Sequence, residues 1–266
     1  MKNYRMRKAA RSLFIGFLIV IGFCYLNRIQ ISQKIIEVSS QADIVSIDKE
    51  TDTPAEKGRL GRLGQLEYQG QNVITINNNK PSFSSNDLQV KSEGWQKLSS
   101  LDWLGRPHVA NALLNQKLMP PSQKEKARER LTVNPPGYRT VRTGDKPSDW
   151  LYNRSHLIGY QFTGLNNEAK NLFTGTRQLN ADSRNDAQSM VTFESEIADY
   201  LKISPDHYVC YQVEPFYRNV ELIPRGVHMQ AQSITDKTIS FNVYIFNVQD
   251  GWQINSLNGQ ASRIRE

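Results

Sequence analysis

The chain has 266 residues, 38% of them hydrophobic, with four tryptophans; that is enough to bury a real core, excludes global disorder, and allows one large domain or two small ones. The net charge is +7 and the isoelectric point is near 9.3. Lys2, Arg5, Arg7, Lys8 and Arg11 supply five of those charges, and the 33 basic residues less these five leave 28 against 26 acidic ones, so overall charge alone is weak ground for an anionic partner.

Residues 1–11 form a basic tail, and 12–27 carry no charge. The nearly all-apolar part, Leu13 to Leu26, would span about 21 Å as a helix, short of the ~30 Å hydrocarbon core. That length suits the apolar region of a secretory signal, but no small-residue cleavage site follows closely. Lys8 and Arg11 can snorkel to lengthen the span, with the positive flank on the cytoplasmic side. The reading is an uncleaved signal anchor, with a cleaved signal peptide as the alternative. Either one places the bulk of the chain outside the cytoplasm, at the cell membrane or secreted. Residues 28–64 keep no 2- or 3.6-residue period and are expected to be a linker or stalk.

The folded domain is expected over 65–266. Tyr68 to Asn77 has the pattern of a strand, and Asn77-Asn-Asn-Lys-Pro81 that of a turn. Val109–Leu118, rich in Ala, Leu and Asn, is a helix candidate stopped by Pro120-Pro121. Ser122 would cap a further helix from Gln123 to Leu131, with Glu125 at its third position. Pro135-Pro-Gly-Tyr-Arg139 is a turn entering another strand. Between 117 and 142, Lys117, Lys124, Lys126, Arg128, Arg130, Arg139 and Arg142 face only Glu125 and Glu129. Such a stretch can steer a polyanion or simply be a solvated face. Toward the C-terminus, Asp206–Tyr217, Val220–Ile223, Val227–Ser233 and Thr238–Val248 are β-rich. The whole is expected to be α+β on a largely antiparallel sheet.

The most informative stretch runs from Trp150 to Glu194. Asn153-Arg154-Ser155-His156 ends a strand-like apolar run, and Asn171-Leu-Phe-Thr-Gly-Thr-Arg-Gln-Leu-Asn180 follows as a second short strand. A helix over Ala187–Leu201 comes next, with Ala187, Met190, Val191, Ile197, Ala198 and Leu201 at helical spacing. Glu194 falls inside that stripe. An inward carboxylate needs a cation, a metal-bound water or strong donors, or else a buried arginine partner. Asn180 is expected just ahead of the helix, where asparagine is ordinarily an N-cap or turn residue. Histidine titrates near neutrality and can take a proton from water, so the layout suits metal-assisted phosphodiester hydrolysis. His108, His207 and His228 share no ligand spacing and are expected to be structural. Neither Cys24 nor Cys210 has zinc-ligand spacing, and a disulfide between them is not expected. No P-loop, dinucleotide fingerprint, nucleophile elbow or HExxH motif is present.

These residues resemble the DNA/RNA non-specific endonuclease family, whose ββα-metal (His-Me finger) site carries an Asp-Arg-Gly-His motif, and within it the exported streptococcal-type nucleases. The resemblance covers roughly Leu98 to Val248, and Leu101-Asp-Xaa-Leu-Gly-Arg106 shares it. Asn153 and Ser155 depart from the motif's Asp and Gly. The resemblance implies His156 as general base and Asn180 as the Mg²⁺ ligand through its carbonyl oxygen, with Mn²⁺ as a substitute. It places Glu194 beside the metal and Arg154 on the scissile phosphate or a local carboxylate. Arg177, Arg139 and Arg142 are candidates for phosphate binding, and Asn171 for support of the backbone. It implies DNA and RNA as substrates, cut to 5′-phosphate ends. The rival reading is a surface nucleic-acid-binding protein with catalysis weakened at Asn153 and Ser155.

Overall fold

A computed structural model describes residues 62–90, 93–121, 128–182, 184 and 187–265. The basic tail, the apolar 12–27 segment, residues 28–61 of the stalk and the Ser122 cap lie outside them; residues 62–64, expected as the end of the stalk, are described, and Leu63 and Gly64 are buried. Among the described residues no helix is long and apolar enough to cross a membrane.

Strand β1 (Val73–Thr75) opens the fold, followed by β2 (Trp95–Leu98) and β3 (Ala110–Asn115). Next come β4 (Tyr152–His156), a one-turn helix α1 (Tyr160–Thr163), β5 (Leu172–Thr176) and α2 (Arg177–Ala181). The long helix α3 (Met190–Ile203) leads into β6 (Tyr208–Phe216), β7 (Gly226–Ser233) and β8 (Ser240–Phe246). A hairpin of β9 (Trp252–Ile254) and β10 (Ala261–Arg263) ends the chain. The main sheet has six strands in the order β1-β8-β7-β6-β3-β2, all antiparallel, while β4 and β5 pair separately. The expected α+β class with a largely antiparallel sheet is what forms.

Alternation along the central strands sorts the sheet into two faces. One face presents Ala110, Ala112, Val209, Tyr211, Met229 and Val243 to α3 and the β4–β5 unit, which contribute Ile158, Phe162, Phe173, Phe193, Ile197 and Leu201. The Phe162 and Tyr211 rings meet edge-on with centroids 5.6 Å apart, a favoured aromatic geometry. The opposite face carries a polar ladder. Gln212 donates to Asn111 at 2.8 Å, Gln230 donates to Gln212 at 2.8 Å, and His228 bonds Asn242 at 2.6 Å. Burying the first face holds α3, and therefore Glu194, at a fixed height over the sheet.

The Val109–Leu118 helix is a misreading. Ala110–Asn115 is a strand between β2 and β6, with a 3-10 turn at Gln116–Leu118. Ala and Leu favour helix locally, but pairing on both edges and an apolar face of Ala110, Ala112 and Leu114 override that preference. The described end of the next expected helix, 128–131, is not helical either. Tyr68–Asn77 shortens to the three residues that meet β8. The Asn77–Asn79 turn forms, with positive φ at all three asparagines. Tyr138 closes the Pro135 turn at 3.1 Å, but the expected strand beyond it is a single Arg142–Trp150 bridge. Val220–Ile223 is irregular: its Leu222 and Ile223 N–H groups donate to Ser256 rather than to a ladder. Cys210 is buried in β6 and burial pushes its thiol up to about 12.

Candidate active site

Strand β4 delivers Arg154 and His156 from the same face, two residues apart. Its end is stitched to the start of β5 by Asn171, which is fully buried. The Asn171 side chain accepts from Ile158 N–H at 2.9 Å and donates to Ile158 C=O at 2.9 Å. This is the backbone-supporting role expected of Asn171. Truncation strands two buried backbone groups, so Asn171→Ala should lower stability by about 3 kcal/mol, measured by chemical denaturation.

His156 is 9% exposed. Its Nε2 lies 2.9 Å from the Asn166 carbonyl oxygen. A carbonyl can only accept, so Nε2 carries the proton and Nδ1 keeps the lone pair. Burial lowers the His156 pKa to about 4, the nearby Arg128 charge lowers it further, and the Asn166 bond opposes both. The ring is thus neutral at physiological pH, with one nitrogen free to accept a proton.

Glu194 projects from α3 and is buried as its position in the apolar stripe predicts. Val191, placed in the same stripe by spacing, is 40% exposed. Among the described residues no arginine pairs with Glu194; Gln161 hydrogen-bonds its side chain, and burial raises its pKa to about 8. Gly159 makes room for the carboxylate. A Cβ there would sit 2.9 Å from both carboxylate oxygens. Gly159→Ala should therefore displace Glu194 and cut nucleic-acid cleavage at least tenfold, roughly the effect of misplacing one supporting group, with little change in melting temperature.

Asn180 is not an N-cap. It lies inside α2, whose cap is Thr176, accepting from Leu179 N–H at 3.0 Å, while Ser189 and Thr192 form the capping box of α3. Thr176 also donates to Val248 C=O at 2.6 Å, and Gln178 N–H donates to Gln249 Oε1 at 3.1 Å, so α2 is pinned to the chain leaving β8. The Asn180 side chain is half-buried and makes no hydrogen bond among the described residues.

His156, Asn180 and Glu194 converge on one cavity of about 270 Å³, with Arg128, Gly159 and Gln161 in its wall. Arg128, His156 and Asn180 also border a wider cleft of about 540 Å³, flanked by Asn153, Arg154 and Arg177. Arg154 fixes no carboxylate among the described residues. Its Nε and Nη2 donate to Asn134 Oδ1 at 2.8 and 2.6 Å, and its guanidinium lies 4.4 Å from the Tyr138 ring centre. Ser155 points away from the cavity; its buried hydroxyl has no hydrogen-bond partner, and a Cβ on Gly175 would lie 2.3 Å from it.

Arg139 and Arg142 do not line the cleft. Of the basic stretch, Arg128 and Arg130 do, and Lys117 is paired with Glu93 at 3.0 Å; Lys124 and Lys126 lie outside the described residues. His108, His207 and His228 stand away from the cavity: His207 stacks on Tyr200, and His108 lies 3.5 Å from Asp102. Spacing did not single out Asn166 and Asn167. Asn166 accepts from Arg128 Nε at 2.8 Å and donates to Glu129 C=O at 2.8 Å, and Asn167 accepts from Thr132 N–H at 2.8 Å. The pair clamps the segment after 127 over His156. Consecutive asparagines two residues past Gly164 were the one available signal.

Residues 85–235 match the model of the DNA/RNA non-specific endonuclease family. The chain belongs to that family. A curated relative, a deoxyribonuclease of Streptococcus dysgalactiae subsp. equisimilis, is 32% identical over 130 residues, which is 49% of this chain and 38% of that protein. This chain therefore matches well under half of that relative's length. The fold is similar to NucA from Streptococcus agalactiae, solved with magnesium ion bound: 23% identity, TM-score 0.65, 80% of this chain and 98% of that one. It is also similar to Sda1 nuclease, solved with a bound zinc ion: 24% identity, TM-score 0.53, 65% and 81% of the two chains. At these identities the structural similarity is one of fold, and it agrees with the ββα arrangement of β4, β5 and α3.

Proposed function

We propose that the chain is a divalent-metal-dependent endonuclease that hydrolyses phosphodiester bonds of DNA and RNA with little sequence preference. The observation that carries this reading is the convergence of a neutral histidine, an amide unpartnered among the described residues and a buried carboxylate on one cavity beside an arginine-flanked cleft. His156 offers Nδ1 to take the proton of an attacking water while Asn166 holds the ring by the other nitrogen. Arg128, Arg154 and Arg177 face the cleft as cations, and contacts to phosphate rather than to base edges confer no sequence preference. Water attack on phosphorus with departure of the 3′-oxygen leaves a 5′-phosphate end.

The donor set suits a hard cation. Among the described residues the Asn180 amide oxygen has no protein partner, and the Glu194 carboxylate has no basic one. Oxygen donors of this kind match Mg²⁺ with several retained waters, and Mn²⁺ accepts the same donors. Bound there, the ion supplies neutralisation of the phosphate charge and a fixed water. Asn180 would be its direct ligand and Glu194 the group that orients water around it. The uncharged 12–27 segment behind a basic tail supports an extracytoplasmic site of action, anchored to the membrane or secreted.

The test is incubation of the full-length chain with plasmid DNA and with RNA, in Mg²⁺ and in EDTA. Degradation of both in Mg²⁺ and of neither in EDTA is expected. A chain that shifts DNA on a gel and never cuts it, with Mg²⁺ or Mn²⁺, would leave the rival reading of a binding protein.

A further inference from the structure

Nine of the described arginines fall into two groups by what holds them. Arg106, Arg184, Arg218 and Arg225 each meet a carboxylate: Asp102 at 2.7 Å, Asp182, Glu67 at 2.8 Å, and Glu221. At the cleft and next to it the pattern changes. Arg128 and Arg154 donate to asparagine amide oxygens. Just outside, Arg139 donates to Asn258 C=O at 2.7 Å, Arg142 to Lys146 C=O at 2.7 Å, and Arg263 to Thr143 C=O. Arg142 and Arg263 also stack, on Trp150 at 4.4 Å and on Trp252 at 5.3 Å. None of these five pairs with a carboxylate among the described residues. Acidic groups are at hand: Asp149, in the same loop, turns its carboxylate onto Lys146 N–H at 3.0 Å, and Asp145 is exposed and makes no ion pair.

A carbonyl or a ring face fixes a guanidinium without cancelling its charge. Arg139, Arg142 and Arg263 are exposed, so their charge is presented outward. They are also joined to one another. Arg142 and Trp150 bridge across the loop, Arg263 ties β10 to that loop, and Arg139 ties it to the β9–β10 turn. Trp150 is at once part of this unit and part of the cleft wall. Three exposed guanidiniums, Arg139, Arg142 and Arg263, therefore lie between the cleft edge at Trp150 and the C-terminal hairpin, with Asp145 and Asp149 in the same loop. Guanidiniums held together by neutral partners keep their charge and attract a polyanion.

We propose that Arg139, Arg142 and Arg263 form an outer phosphate-binding track that holds the nucleic-acid backbone beyond the scissile step. This rests on nucleic acid being the substrate, and it assigns the β9–β10 hairpin a part in holding it.

The experiment measures binding of the full-length chain to a long labelled duplex by fluorescence anisotropy in EDTA, over a range of salt concentrations. Replacing all three arginines by glutamine should reduce the magnitude of the log affinity–log salt slope by about 2–3, and replacing all three by lysine should keep most of it. If the triple glutamine variant does not fold, Arg263→Gln alone, at the exposed hairpin, should still reduce the slope by about 0.9. Affinity for a tetranucleotide should fall less than affinity for the long duplex. An unchanged slope in the glutamine variants, or a parent that does not bind DNA, overturns the track. A parent that binds with a steep slope yet never cuts in Mg²⁺ removes the nuclease reading and leaves the track standing.

Discussion

Replacing His156 by alanine is expected to lower the rate of phosphodiester cleavage by about 10²–10⁴-fold, the usual contribution of a positioned general base. The loss should fall on kcat, because the ring holds no substrate charge while neutral. The pH profile separates this role from a packing defect. Burial holds His156 at about 4, so the base stays unprotonated down to that range. The acid limb of kcat should therefore fall through about pH 4 and not near the ordinary value of 6.5. Stability follows the same proton. Between about 4 and 6.5 the unfolded chain binds a proton at this histidine that the folded chain does not. His156 therefore contributes stability that is fully present above 6.5 and is lost as pH falls toward 4. A kcat limb near 6.5, or an alanine variant within threefold of the parent, contradicts the assignment.

Glu194→Gln is expected to make the protein more stable and less active. The carboxylate is pushed up to about 8 from an ordinary value of 4.5 by burial. Between those values the folded chain holds a proton that the unfolded chain releases. Stability is therefore full below about 4.5 and falls as pH rises through 8. Glutamine has the shape of the protonated acid and does not titrate. In EDTA the variant should lie close to the parent at pH 5 and exceed it by on the order of 4–5 kcal/mol at pH 9, the free energy of a displacement of that size. Mg²⁺ should raise the parent at pH 9 and narrow the gap, while cleavage by the variant stays at least tenfold lower than the parent's. Denaturant midpoints across pH, with and without Mg²⁺, decide it. Parallel curves for the two proteins in EDTA would show that Glu194 is not an uncompensated buried acid.

The sequence exposes these two residues for different reasons. Glu194 is legible from period alone, because a carboxylate among Met190, Ile197 and Leu201 must point inward on any helix. His156 is legible from its place at the end of an apolar strand and from the motif around it. Asn180 lies inside the short helix Arg177–Ala181 and not at a helix start, because that helix is set by Thr176 and by tertiary anchors on Val248 and Gln249, which are distant in sequence. β3 fails in the same way, since its neighbours β2 and β6 make a strand of residues whose local preference is helical. The asparagine clamp at 166–167 and the fit of Gly159 against Glu194 act through backbone groups and empty space, which composition and spacing do not encode. The basic stretch divides on folding. Arg128 and Arg130 reach the cleft, Arg139 donates to Asn258 in the C-terminal hairpin, and Arg142 donates to Lys146 and lies over Trp150.

The account depends most on the cavity shared by His156, Asn180 and Glu194 being where a divalent ion and the scissile phosphate meet. The direct measurement is the initial rate of plasmid cleavage against Mg²⁺ concentration, for the full-length parent and for Asn180→Ala. The parent rate should saturate. The variant, lacking its direct ligand, should be inactive or need at least about tenfold more Mg²⁺, the scale of loss when a metal site is disturbed. Identical curves for the two proteins would place the metal, and the chemistry, somewhere else.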